Sequence, residues 1–151
     1  MALRIYFDNC CLNRPFDNQK QLSVNLETRA KLHIQGCVKT KQAELVSSYV
    51  LSVEINKIRE PYKRNSISDF LNGNMSAYVG ADSKELVLSL YDEITQTGIK
   101  DIDAVHIACA VLSGCDYFLT TDKRLLKYKT DKITIINPVD FISVLENEEN
   151  D

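Results

Sequence analysis

The segment from residue 102 to residue 122 constrains the fold more than any other part of the chain. Its first part, residues 102–112, is apolar on nearly every side of a predicted helix and carries Asp103 in the first turn, which indicates a helix buried deep in a core. A short apolar strand, residues 117–120, follows and leads into Asp122. A buried helix and a buried strand, each with an acid at one end, predict a polar site at the edge of an α/β core.

Helical and strand-like segments alternate along the whole chain. The predicted helices have apolar residues every three or four positions, whereas the predicted strands are short runs of aliphatic, β-branched and aromatic residues. This alternation indicates an α/β domain with a mostly parallel sheet, whose functional site lies at the carboxyl ends of the strands. The predicted strands are residues 3–7, 44–50, 75–79, 117–120 and 133–136, and the predicted helices are residues 19–37, 51–58, about 67–71, 84–97, 101–112 and a short helix after Pro138.

Two polar segments carry no strong helix or strand pattern. Residues 9–18 are predicted to form a loop, and the last six residues, 146–151, contain four acids and no base. We therefore expect one domain over residues 1–145, followed by a disordered acidic tail.

The composition excludes several classes of protein. The hydrophobic fraction of 44% and the charged fraction of 26% are ordinary for a soluble domain. No apolar run approaches the roughly 20 residues of a membrane helix, and a signal peptide is not evident, so we expect a cytoplasmic protein. The five cysteines show no C-x-x-C spacing, which argues against a zinc site, and Cys109 and Cys115 are predicted to be small buried residues. The net charge of −3 does not decide between nucleic acids and small anionic substrates.

Four carboxylates are candidates for one site. Asp8 ends the first predicted strand and Glu54 lies on the apolar stripe of a predicted helix, while Asp103 and Asp122 come from the opening segment. Each has an ordinary explanation alone, as a helix or turn cap, a strand end or a solvated helix residue. If they converge at one sheet edge, they would repel one another unless a cation neutralises them. Oxygen ligands favour Mg²⁺ or Mn²⁺, which can polarise a phosphoryl oxygen and activate a water molecule.

The order of these motifs resembles a PIN domain over residues 3–142. The motifs are the strand that ends at Asp8, Val50-Leu51-Ser52-Val53-Glu54, Asp103-Ala104-Val105-His106-Ile107-Ala108, Leu119-Thr120-Thr121-Asp122, and the segment Ile135 to Ile142.

The resemblance implies both a fold and an activity. The fold is a three-layer α/β/α sandwich, and the activity is hydrolysis of RNA by a Mg²⁺- or Mn²⁺-dependent endoribonuclease. Many bacterial members are toxins held by an antitoxin, so an antitoxin protein and a homodimer are the implied partners besides RNA. The residues that match the family's catalytic and metal-binding acids are Asp8, Glu54, Asp103 and Asp122, with Asn9 and Thr120 in supporting positions.

Two basic residues next to these acids are predicted to bind RNA phosphates. They are Arg14, in the predicted loop after Asp8, and Lys123, directly after Asp122. His106 lies one turn beyond Asp103, where it could contact the site, but it is interpreted as a packing residue.

Two other functions remain open from the residues. The first is a non-catalytic PIN-like module that binds RNA or a protein, which need not bind a metal ion. The second is a phosphatase with an aspartyl nucleophile, although its usual D-x-D pattern is absent at Asp8-Asn9-Cys10.

Overall fold

A parallel β-sheet forms the centre of the protein. The computed structural model describes residues 2–150, apart from the side chains of residues 149 and 150. Within these residues five strands pair in the order β3-β2-β1-β4-β5, and every pairing is parallel. The sheet is therefore wholly parallel, where the sequence predicted a mostly parallel one. The strands are β1 Leu3–Phe7, β2 Ala43–Ser48, β3 Met75–Val79, β4 Tyr117–Leu119 and β5 Thr134–Ile136.

Seven α-helices in the described part of the chain flank the sheet and confirm the three-layer α/β/α architecture. Among them α2 packs against α7, and α5 packs against α6. Three short 3₁₀ turns, Arg14–Phe16, Ala81–Ser83 and Leu125–Lys127, complete the connections. The helices are α1 Asn9–Asn13, α2 Leu22–Lys39, α3 Tyr49–Asn56, α4 Pro61–Asn74, α5 Lys84–Thr95, α6 Asp101–Leu112 and α7 Pro138–Asn150.

Most of the segment from residue 102 to residue 122 lies in the core, as its apolar sequence predicts. In α6 most side chains from residue 104 to residue 110 are buried, and the inner strands β1 and β4 contribute fully buried aromatic residues. Cys109 and Cys115 are buried as predicted, and burial raises the pKa of these thiols to about 11 and about 12 respectively. Both cysteines are therefore small core residues.

Several predicted boundaries are wrong. The segment 9–18 is not a loop, because α1 and the 3₁₀ turn Arg14–Phe16 occupy most of it. The helix predicted from residue 51 begins two residues earlier and is capped by Ser48, since the Ser48 hydroxyl accepts from the Leu51 N–H at 3.1 Å. The poorly patterned region after residue 60 is mostly α4, which Glu60 caps through two backbone N–H groups.

The buried face of α2 also differs from the apolar stripe that the sequence predicts, which consists of Leu22, Leu26, Ala30, Ile34 and Cys37. Leu22 and Leu26 are 73% and 41% exposed, whereas Lys31 is only 5% exposed. The later part of the stripe, Ile34 and Cys37, is buried as the periodicity predicts. The helix starts at Leu22, and tertiary packing turns its first residues away from the sheet.

The acidic C-terminal segment is helical where the structure describes it. α7 continues to residue 150, so residues 146–150 do not form the disordered tail that the composition predicted, and residue 151 lies outside the described residues. Buried Phe141 and Leu145 anchor the helix, and no Pro or Gly interrupts the residues after them. Within residues 2–150 no helix is both long and apolar enough to cross a membrane.

Candidate active site

Asp8 lies at the carboxyl end of β1, between strands that lead to opposite edges of the sheet. β2 pairs with one side of β1 and β4 with the other, so this is the switch point where parallel sheets usually bind ligands. The side chain of Asp8 is 7% exposed and caps α1, with its Oδ1 accepting from the Asn9 N–H at 2.8 Å. The end of β1 and the start of α1 together fix this carboxylate.

Thr120 connects the first acid to the last one. Its hydroxyl donates to Asp8 Oδ2 at 2.8 Å and accepts from the Asp122 N–H at 3.1 Å. Thr120 is fully buried after the last residue of β4. Thr120, to which the resemblance assigned a supporting position, therefore contacts both Asp8 and the backbone of Asp122.

A buried chain of hydrogen bonds holds Glu54. Its Oε1 lies 2.5 Å from His106 Nε2, and the Nδ1 of the same imidazole lies 2.7 Å from the Tyr6 hydroxyl. Tyr6 in turn bonds Ser48 Oγ at 2.7 Å. A neutral imidazole gives every group a partner, because Ser48 then donates to Tyr6, Tyr6 to His106, and His106 to the carboxylate.

His106 therefore does more than pack. It is 1% exposed, as its interpretation as a packing residue implies, but it also contacts one of the four candidate acids. α6 thus supplies both Asp103 and the residue that holds Glu54.

Asp103 shows that the acids act on one another. Burial raises the pKa of this carboxyl above its usual value, and the negative charges of Asp8 and Asp122 raise the pKa further. Glu54 adds to the same effect. Asp103 and Asp122 also line one cleft. The fold therefore brings the four predicted acids into one electrostatic environment.

The donor chemistry of this site fits a hard divalent cation. Four carboxylates offer oxygen ligands only, and their mutual repulsion is the energy that a cation would relieve. Within the described residues, however, no three or more His, Cys, Asp or Glu side chains form a group arranged to hold a metal ion. The four acids therefore influence one another electrostatically, but they are not arranged as a preformed metal site.

Three other predicted residues have different surroundings. The Asn9 side chain accepts from Asn13 Nδ2 at 2.7 Å, and its contact with Asp8 is made by the backbone. Arg14 pairs with Asp17 at 3.0 Å and Glu27 at 2.9 Å, so its guanidinium links the 3₁₀ turn to α2. Lys123 is exposed beside Asp122.

Cys10 is a site residue that sequence reasoning missed. Its Sγ lies 3.3 Å from Asp8 Oδ2 and 3.3 Å from Thr120 Oγ1. Burial raises the pKa of this thiol, and the charge of Asp8 raises it further. Its position two residues after a strand-ending acid was a signal that Cys10 would lie near the site, but the sequence analysis placed it only in a predicted loop. Tyr6 and Ser48 were missed because their partners are about 100 and 42 positions away in the chain.

The three-layer sandwich with its wholly parallel sheet is a PIN-like fold. The solved structures that share this fold include the following two. They are VapBC2 from Rickettsia felis bound to a DNA fragment from their promoter, with a TM-score of 0.54 and 14% identity over 89% of this chain and 98% of that chain, and FitAcB from Neisseria gonorrhoeae, with a TM-score of 0.52 and 15% identity over 89% of this chain and 97% of that chain.

At these identities the likeness concerns the fold alone. No protein-family model matches the chain, and no curated protein matches it.

Proposed function

We propose that this protein is a Mg²⁺- or Mn²⁺-dependent endoribonuclease that hydrolyses RNA phosphodiester bonds. The observation that carries the proposal is the convergence of the acids: Thr120 bonds both Asp8 and the Asp122 backbone, Asp103 and Asp122 line one cleft, and burial together with the charges of the other acids raises the pKa of Asp103. It supports the view that the four acids, from four separate segments, work as one site. We assign the activity to the PIN-like domain predicted over residues 1–145.

The chain's own residues would bind and orient the reacting groups. Asp8, Glu54, Asp103 and Asp122 would hold the cation, which supplies Lewis-acid activation of the phosphate and a nucleophilic water. Thr120 orients Asp8 through its hydroxyl, and Asn9 supports the same carboxylate through its backbone N–H. Arg14 and Lys123 remain proposed contacts for RNA phosphates.

We further propose that the protein is the toxin of a toxin–antitoxin pair. Both similar structures are toxin–antitoxin complexes whose toxin is a PIN domain, and one of them is bound to DNA. An antitoxin protein would then bind this chain and restrain it, and a homodimer is the proposed assembly of the toxin. A ribonuclease of this kind would act on RNA in the cytoplasm.

Cleavage of single-stranded RNA in the presence of Mn²⁺ tests the enzymatic proposal. Asp8→Asn and Asp103→Asn remove one charge each at nearly constant volume, and each is expected to lower the rate by at least about 100-fold. Asp69→Asn is the matched control, because Asp69 is exposed on α4 and is not part of the acidic site.

Two outcomes would contradict the proposal. Cleavage that survives both substitutions would show that another site, or a contaminant, is responsible. RNA binding without any cleavage in Mn²⁺ or Mg²⁺ would instead favour the non-catalytic binding module.

A further inference from the structure

A cleft of about 360 Å³ opens beside the candidate acids. Asp103 and Asp122 line it together with Lys100, Arg124 and Tyr128. The volume lies near the lower end of the roughly 300–1,000 Å³ that small-molecule sites occupy, which suits one nucleotide and not a duplex. The same cavity therefore combines the proposed hydrolytic acids with two cations and an aromatic ring.

The ring of Tyr128 is held in place at this cleft. Gly98 has φ +100, and a Cβ there would lie 2.8 Å from Tyr128 Cε1, so the ring packs directly on a backbone without a side chain. The preceding 3₁₀ turn is anchored by Leu125, which is 2% exposed. Tyr128 itself is 37% exposed. A supported ring with an accessible part is a stacking platform for a base.

The two cations are available to an anionic ligand. The Arg124 side chain is 89% exposed, and its Nε lies 3.9 Å from Asp122 Oδ1. The Arg124 backbone N–H bonds the same oxygen at 2.9 Å, which fixes the position of the residue next to the acid. Lys100 is exposed and directly precedes α6, whose first turn carries Asp103. Each cation is therefore adjacent in the chain or in space to an acid of the site.

We propose that this cleft binds one unpaired nucleotide of a single-stranded RNA, next to the phosphate that is cleaved. Its base stacks on Tyr128, while Lys100 and Arg124 bind the flanking phosphates. A base within a duplex is stacked between its neighbours, so only an unpaired base can place its face on Tyr128, and the substrate is unpaired at this position. The inference rests on the proposed function, whose site it extends.

RNA binding tests the subsite separately from cleavage. Each variant is made in an Asp8→Asn background, because Asp8 does not line the cleft and its loss is expected to keep the RNA intact. Fluorescence anisotropy with Mn²⁺ then compares a labelled single-stranded RNA with the same sequence as a duplex, and a gel checks that the RNA is uncut.

The tyrosine and the cations have different expected signatures. Tyr128→Ala weakens single-strand binding by roughly ten-fold or more without changing its salt dependence, whereas Tyr128→Phe binds normally. Affinity falls as salt rises, and Lys100→Ala and Arg124→Ala should each make this dependence shallower, reducing the magnitude of the slope of log affinity against log salt by about 0.7. Tyr62→Ala and Lys84→Ala are matched controls, since both residues are exposed outside the cleft. Thermal melting checks the fold, and Tyr128→Leu replaces Tyr128→Ala if the latter unfolds.

Four results separate the subsite from the proposed function. Unchanged single-strand binding by Tyr128→Ala or Tyr128→Leu, or equally tight binding of the duplex, overturns the subsite. Normal cleavage by the Asp8-containing chain with all three cleft substitutions overturns the subsite and leaves the ribonuclease intact. Tyr128-dependent binding by a chain that never cleaves RNA leaves the subsite intact and overturns the ribonuclease. No RNA binding by the parent chain overturns both.

Discussion

At the scale of single residues, the position of Glu54 depends on side chains that are far from it in the sequence. The chain from Ser48 through Tyr6 and His106 ends on its carboxylate, and three of these four residues are at most 1% exposed. Because buried polar groups are costly without partners, the chain holds Glu54 in a single arrangement. Tyr6, Ser48 and His106 are therefore positioning residues of the proposed site.

Tyr6→Phe tests this role. The change removes one hydroxyl and leaves buried partners unpaired, so we expect a loss of about 1–3 kcal/mol in the free energy of unfolding. If Glu54 then loses its orientation, kcat for RNA cleavage falls by roughly 10–100-fold with little change in KM. Urea titration and steady-state kinetics measure the two effects. Tyr62→Phe, at a residue that is 74% exposed, serves as the control. A stable variant with unchanged kcat would show that this chain of hydrogen bonds does not contribute to catalysis.

At the scale of helices, α2 carries an unusual buried charge. Lys31 faces the interior, where its Nζ bonds Gln35 Oε1 at 2.7 Å and lies 5.3 Å from the centre of the Phe70 ring. Burial lowers the pKa of Lys31 to about 8. The helix therefore holds a lysine on its buried face at a cost in stability that the hydrogen bond and the aromatic ring only partly offset.

Lys31→Met should stabilise the protein at pH 7 by about 1–3 kcal/mol, because it keeps the apolar stem and removes the buried charge. Between pH 8 and about 10.4 the unfolded lysine binds a proton that the folded one has lost, so the stability of the wild type rises with pH in this window. The advantage of the variant should therefore shrink across the same range.

Denaturant titrations of both proteins at several pH values measure this difference. Burial also raises the pKa of Tyr6 and of several thiols, so their contributions to stability fall as the pH rises. These contributions are the same in the wild type and in Lys31→Met, so they cancel when the two proteins are compared. Lys84→Met, at an exposed position, should show no such pH-dependent gain. An equal gain at pH 7 and pH 10.5 would contradict the explanation.

At the scale of the whole molecule, folding forces like charges together. Besides burial, the charges of Asp8 and Asp122 raise the pKa of Asp103, so these charges oppose the folded state and a bound cation would relieve the repulsion. Metal binding and folding stability should therefore be coupled.

Mn²⁺ at about 100 times its Kd should stabilise the protein by about 2.7 kcal/mol and raise Tm by roughly 5–10 °C. Asp103→Asn should be more stable than the wild type in EDTA, since it removes repulsion, and should lose most of the Mn²⁺-dependent rise. Thermal melting with and without Mn²⁺ measures both, and Asp69→Asn should behave as the wild type does. A wild-type Tm that does not respond to Mn²⁺ or Mg²⁺ would contradict the metal site.

The sequence by itself determined the fold class and most of the elements, although not α1 or the full length of α4. The apolar runs of β1 and α6 and the alternation of strands and helices predict an α/β domain with a mostly parallel sheet, because hydrophobic periodicity reports which faces must be buried, and the resemblance to PIN domains implies the three-layer sandwich. The four acids could also be named, since strand ends and a helix start place Asp8, Asp122 and Asp103 at one edge of a parallel sheet. Glu54 was named from its place on the apolar stripe of a predicted helix.

Only the tertiary structure decided which distant residues meet. The bonds from Thr120 to Asp8, from His106 to Glu54 and from Arg14 to Glu27 join separate segments. Local patterns cannot specify such pairs. They also predicted wrongly that the first apolar residues of α2 are buried, because the packing of whole elements determines which faces are covered. The acids of the opening segment were visible from the chain alone, but their shared charge environment and the cleft with Tyr128 exist only in the fold.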